Sequence, residues 1–229
     1  MSMIQESALQ FPDPPPGGAT QPVRLDAALA QSARAKARES CDVSARFFDS
    51  EGDSLVVMAR ALADVWRDGG RVFAMGNGAS SCEAARFALE FQLPRAQGRA
   101  PLTAVDLAGD PALLSGLAAD LGFEQIFARQ VEMRARPGDG LIGFSVDGDA
   151  LNLMNAFASA KARHVVTFGF AGGHGGKMRT SGLVDHCLVA PTSSAHRIQE
   201  CHVAACHILW DVVHSLLADE RGVEISGRA

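Results

Sequence analysis

Ten consecutive residues constrain this chain more than any others. Val72-Phe73-Ala74-Met75 is a short apolar run that breaks at once into Gly76-Asn77-Gly78-Ala79-Ser80-Ser81. A helical pattern follows through Cys82, Ala85, Phe87, Ala88 and Phe91. Strand, small-residue turn and helix, in that order, is how an α/β protein aims backbone N–H groups and a helix N-terminus at a ligand. The loop marks where a ligand sits, and the chemistry has to come from residues elsewhere.

The rest of the chain alternates in the same way. Strand-like runs fall at Val72–Met75, Leu102–Val105, Leu141–Phe144, His164–Phe168 and His186–Val189. Helical patterns fall near Ser81–Leu93, Pro111–Ala119, Glu124–Arg134, Ala150–Ala162 and Ala195–Leu217. Short apolar strands separated by helices predict an α/β fold: a three-layer α/β/α sandwich around a five-stranded, mainly parallel sheet. Two N-terminal helices precede it. One runs from Leu25 to Val43; the other, from Ser54 to Arg67, carries Leu55, Met58, Leu62 and Val65 as an apolar stripe, with Asp53 and Ser54 as its caps. Residues 1–22 contain Pro12-Asp13-Pro14-Pro15-Pro16-Gly17-Gly18 and read as an unstructured tail, as does 221–229. Residues 23–220 are then one domain, a size that 229 residues accommodate.

Composition removes several function classes. The net charge of −5 and the absence of a basic stripe argue against nucleic acid as a direct partner. The apolar runs are too short to cross a bilayer, no secretory leader opens the chain, and five cysteines without CxxC spacing fit reduced thiols. These features point to a cytoplasmic protein without a membrane partner.

Four segments carry a resemblance: Gly76-Asn77-Gly78-Ala79-Ser80, Gly138-Asp139, Gly175-Gly176-Lys177-Met178, and Arg197-Ile198-Gln199-Glu200-x-His202-x4-His207-Ile208-Leu209. Together, and in this order, they resemble the phosphoheptose isomerases, sugar isomerase (SIS) domain proteins that interconvert sedoheptulose 7-phosphate and heptose 7-phosphate. The resemblance runs from about Leu25 to Leu217. It implies an SIS fold, a homotetramer with sites between subunits, and an aldose–ketose isomerase acting through an enediolate, which needs a base, an acid and a group to hold the oxyanion. By resemblance Glu90 is the base and His207 the proton-transfer histidine; Glu90, Gln199 and His207 match zinc ligands. Asn77, Gly78, Ser80, Asp110 and Ser145 match the sugar-phosphate binding positions. On an ideal helix Gln199 and His207 lie about 12 Å apart, so a shared ion implies a bend or a neighbouring subunit.

The chain departs from the family at two places. Arg86 stands where a further metal-ligand histidine is expected, and a guanidinium has no lone pair to offer. Two readings of Arg86 are open: an i,i+4 salt bridge to Glu90, which would make that carboxylate a poorer base, or a fixed positive charge in a metal's place. The second departure is Ser145-Val146-Asp147-Gly148-Asp149-Ala150, where the family carries a Ser-Thr-Ser-Gly-Asn-Ser type phosphate loop. Two carboxylates there oppose a phosphate dianion, and the alternative reading of Asp149 is a cap for the helix expected to start near Ala150. His196 and Ala119 are smaller changes of the same kind. Cys201 and Cys206, beside His202 and His207, read as core thiols rather than metal ligands.

These residues leave two functions from different classes. One is a sugar-phosphate-binding SIS protein with isomerase chemistry. The alternative is a non-catalytic regulatory or assembly protein on the same tetrameric scaffold, similar to the family's replication-initiator-binding branch, with a protein partner that the sequence does not identify.

Overall fold

A computed structural model of the chain describes residues 22–95 and 98–219. The expected tails lie outside these residues, apart from Pro22, which opens a helix. The chain divides into two compact units, Met1–Glu39 and Ser40–Ala229. In the first, the described residues are helical, and residues 25–39 are exposed. The second unit holds the sheet and the helices that cover it.

Along the chain the elements are α1 (Pro22–Arg67), β1 (Val72–Gly76), α2 (Ala79–Gln92), β2 (Ala104–Asp106), α3 (Pro111–Leu121), α4 (Ala128–Arg134), β3 (Gly140–Phe144), α5 (Leu151–Lys161), β4 (Val166–Gly172), α6 (Gly176–Thr180), β5 (His186–Ala190) and α7 (Ala195–Asp219). A short 3-10 turn at Phe123–Gln125 separates α3 from α4 and divides the single helix expected over Glu124–Arg134. The strands pair in the order β2-β1-β3-β4-β5, and every pairing is parallel. Chain order therefore reverses between β1 and β3. The loops that leave these two strands diverge, which opens a crevice at the C-terminal edge of the sheet.

Period-2 alternation sorts the strand side chains onto two faces. Val72, Ala74, Ile142, Phe144, Phe168, Phe170, Leu188 and Ala190 face α1, α2 and α7, through Phe47, Met58, Leu62, Phe87, Phe91, Ile198 and Leu209. Phe73, Met75, Leu141 and Ala171 face the opposite layer, through Val131, Leu153, Phe157 and Met178. Both faces of β1, β3 and β4 are buried, which is why these strands read as apolar runs instead of alternating ones. The long α7 is apolar enough to resemble a membrane span, but half of that stretch is buried inside the fold, as expected of a core helix.

The N-terminal helices also depart from expectation. Asp53 and Ser54 do not start a helix; α1 runs through them. The stripe explains this. Val43, Phe47, Leu55, Met58, Leu62 and Val65 are buried at helical spacing, and the gap between Phe47 and Leu55 is filled by Glu51, 8% exposed and 3.6 Å from Arg179. Packing of this continuous face outweighs the local preference of Gly52-Asp53-Ser54 for a break.

Gly138-Asp139 turns out to be structural. Buried Asp139 accepts bonds from the Arg71 and Arg136 backbone N–H groups at 2.8 and 2.9 Å, and from the Arg71 guanidinium at 2.9 Å. It clamps the entry of β1 to that of β3, at the edge of the sheet opposite the crevice.

Two stability measurements check this description. A Cβ at Gly52 would meet nothing within 4 Å, so Gly52→Ala should stabilise the fold by about 1 kcal/mol in chemical denaturation. Asp139→Ala should destabilise it by about 3 kcal/mol, since it leaves buried donors unpaired.

Candidate active site

The glycine loop has the geometry its sequence suggests. A Cβ on Gly76 would lie 2.3 Å from the Ser80 carbonyl, and Gly78 holds φ at +55°, so both positions favour glycine. Ser80 is buried in the first turn of α2. Asn77 and Asn152 exchange two amide bonds, at 2.9 and 2.8 Å, across the crevice between the β1 and β3 loops. Ser145, at the end of β3, stands in the same crevice wall. Asp110 caps α3 by accepting from the Leu113 N–H at 2.9 Å.

The β3–α5 loop is closed by its own carboxylates. Ser145 Oγ donates to Asp147 Oδ1 at 2.9 Å and accepts from the Gly148 N–H at 3.0 Å. Asp147 Oδ1 also accepts from the Asp149 N–H at 3.0 Å. Asp149 does not cap α5, whose N-cap residue is Ala150 without a side-chain bond. It accepts instead from the Lys177 N–H at 2.9 Å and caps α6. Donors that would meet an anion are thus already engaged.

A second locus lies at the other end of α2. Twelve residues of helix separate Gly78 from Glu90, a rise of about 18 Å. Here α2 packs on α7 through Phe87 and Phe91 against Ala205 and Leu209. The crossing leaves a cleft of about 590 Å3 whose lining includes the charged and polar side chains of Arg86, Glu90, Arg95, His207 and Asp211 and the apolar ones of Leu89, Leu93 and Trp210. His207 Nε2 stands 3.2 Å from Glu90 Oε1, and the Trp210 indole donates to the Glu90 carbonyl at 3.0 Å. The Glu90 and His207 side chains retain 30% and 54% exposure, so a ligand can reach both.

Arg86 does not form the expected pair with Glu90. It makes no hydrogen bond and no ion pair among the described residues, while Glu90 is turned toward His207. The unfavourable Arg-before-Glu order on one helix gives the pair little advantage, and contacts from α7 decide the carboxylate's direction.

Sequence reasoning missed one partner. His202 is fully buried, with Nδ1 3.2 Å from Glu83 Oε1 and Nε2 3.2 Å from the Ala171 carbonyl. Both ring nitrogens face oxygen atoms, so the ring is held from two sides inside the core. Glu83 and Glu90 are seven residues apart, close to two helical turns. That spacing places both on the face of α2 that meets α7, and it was the available signal. Glu83 Oε2 is buried without a hydrogen-bond partner among the described residues, a cost of about 1–3 kcal/mol. Cys206 lies in the same layer; burial first, then Glu83 and Glu90, push its thiol well above the ordinary range, against Arg86. It is therefore a packed thiol, not a nucleophile. Truncating His202 to Ala should cost about 3–5 kcal/mol, because it strands a buried carboxylate. The double replacement Glu83→Met with His202→Phe should cost less than either single change in thermal unfolding.

The zinc implied by the resemblance can be tested against these donors. A tetrahedral site needs three or four lone-pair ligands. Among the described residues no three of His, Cys, Asp and Glu converge. The cleft brings together Glu90 and His207. Gln199 lies eight residues before His207 on the continuous α7 and is not among the cleft-lining residues. In the remaining ligand position stands a guanidinium. This donor set does not fit zinc.

Comparison with known proteins agrees with this architecture. Residues 37–172 match the SIS domain family. The chain is 35% identical over 184 residues to the phosphoheptose isomerase of Roseiflexus sp. (strain RS-1), covering 79% of this chain and 91% of that one. Among solved structures, a phosphoheptose isomerase from Francisella tularensis is similar with a TM-score of 0.77 at 26% identity, covering 81% of this chain and 98% of the other. Another from Neisseria gonorrhoeae gives 0.76 at 28% identity, covering 82% and 99%. By fold, extent and identity, this chain belongs to the phosphoheptose isomerase family of SIS-domain proteins.

Proposed function

We propose that the chain is an aldose–ketose isomerase of sugar phosphates, interconverting sedoheptulose 7-phosphate and heptose 7-phosphate in the cytoplasm. The observation that carries this reading is the 3.2 Å contact between Glu90 Oε1 and His207 Nε2 in a cleft open to a ligand. A carboxylate and an imidazole at that distance supply the two proton-transfer groups the reaction needs. In the ketose-to-aldose direction Glu90 removes a proton from C1, an enediolate forms across C1 and C2, and the carboxyl returns a proton to C2. His207 relays a proton between the two oxygens. Leu89, Leu93 and Trp210 give the cleft apolar surface against which the carbon face of a sugar can pack.

The glycine-loop crevice and this cleft are too far apart on one chain to grip the two ends of one small sugar. The working unit is a homotetramer in which a second copy supplies the crevice residues to the Glu90–His207 cleft. Light scattering should give the tetramer mass. The isomerase reading is tested by turnover of sedoheptulose 7-phosphate: Glu90→Gln should lower kcat by about 1,000-fold with little change in the unfolding midpoint.

One observation favours a second reading, ligand binding without turnover. The Ser145–Ala150 loop is closed by Asp147 and Asp149, which oppose a phosphate dianion. A wild type that is stabilised by sugar derivatives yet inactive on every sugar phosphate would establish it.

A further inference from the structure

We propose that Arg86 is the group that holds the oxyanion in this cleft, so that the isomerisation runs without a metal ion. The proposal rests on the isomerase reading above and goes beyond it by assigning a catalytic residue and a cofactor-independent mechanism.

Three observations support it. Arg86 lines the same cleft as Glu90 and His207, one helical turn before Glu90 on α2. At i,i+4 the Cβ atoms of Arg86 and Glu90 are about 6 Å apart, so both side chains can reach one small substrate. Arg86 is also exposed and uncommitted: it has no hydrogen bond or ion pair among the described residues, although two carboxylates, Glu90 and Asp211, border the same space. Finally, the cleft's donor set is wrong for zinc but right for a guanidinium-assisted reaction. Only Glu90 and His207 come together there, Asp211 does not join them as a third ligand, and positive charge is already covalently fixed in Arg86 and Arg95.

The chemistry follows from the shape of the intermediate. An enediolate carries its negative charge on oxygens of adjacent carbons. A planar guanidinium presents paired N–H groups that can donate to both oxygens at once, and it stays charged at every working pH. Arg86 donates hydrogen bonds and transfers no proton. The proton from C1 goes to Glu90 and returns to C2, the O–H proton moves through His207, and nothing is oxidised or reduced. Leu89, Leu93 and Trp210 add apolar surface to the same cleft, and substrate that covers it strengthens the pull of a fixed positive charge.

The test uses the full chain after exhaustive chelation, with and without added zinc, on sedoheptulose 7-phosphate. The wild type should keep its kcat after chelation and carry substoichiometric zinc by elemental analysis. Arg86→Ala should lose about 100- to 1,000-fold in kcat, and Arg86→Lys should recover part of it as a single-point charge. A hydroxamate mimic of the enediolate, measured by calorimetry in chelator, should bind Arg86→Ala about 100-fold more weakly than wild type. Turnover that vanishes on chelation and returns with zinc would overturn the proposal, as would wild-type kcat in Arg86→Ala. A wild type without turnover in either condition would instead overturn the isomerase reading, and with it this role for Arg86.

Discussion

Everything functional in this protein hangs on how α2 crosses α7. Helix α2 begins in the glycine loop at the sheet's C-terminal edge and ends at Glu90. Helix α7 brings His202 and His207 against it. Two polar contacts, Glu83 with His202 and the Trp210 indole with the Glu90 carbonyl, bracket an apolar seam of Phe87, Phe91, Ala205 and Leu209. The buried pair supplies little net stability once desolvation is counted. Its effect is registry: a slide of one helix past the other would strand a buried carboxylate, so the Glu90–His207 distance is fixed by a contact inside the core.

That crossing also separates two jobs. The crevice between β1 and β3 has the amides, glycines and paired asparagines of a ligand edge, while the cleft near the end of α2 has the proton-transfer groups. In the crevice, Asp147 and Asp149 take the donors an anion would use. In the cleft, Arg86 takes the place of a metal ligand and stays uncommitted. Both departures change charge: the crevice becomes less welcoming to an anion, and the cleft gains a permanent cation. Taken together they shift where a substrate's negative charge is favoured, toward the reacting carbons.

Much of this was legible in the sequence. The strands were readable because they are short and apolar, the three central ones buried on both faces, and Glu90 and His207 could be named because they lie at fixed offsets within recognisable segments. Local rules failed where tertiary packing decides. Asp53 and Ser54 look like a cap, yet the stripe from Val43 to Val65 carries α1 straight through them. Asp149 looks like the cap of α5, yet it reaches across to the start of α6. Arg86 looks like the partner of Glu90 by spacing, but a histidine on another helix claims that carboxylate, and no one-dimensional pattern records this competition. The Glu83–His202 pair was hidden because its members are 119 residues apart.

The central claim is that Glu90 and His207 move protons through an enediolate. Its most direct test is isomerisation of sedoheptulose 7-phosphate in D2O, with the product examined by proton NMR. Proton transfer through a carboxyl in a cleft open to solvent predicts deuterium at C2 of the aldose, and the incorporation should disappear in step with turnover when Glu90 is replaced by Gln. Full conversion with no deuterium at C2 would mean that the hydrogen moves directly between carbons, and would contradict the account.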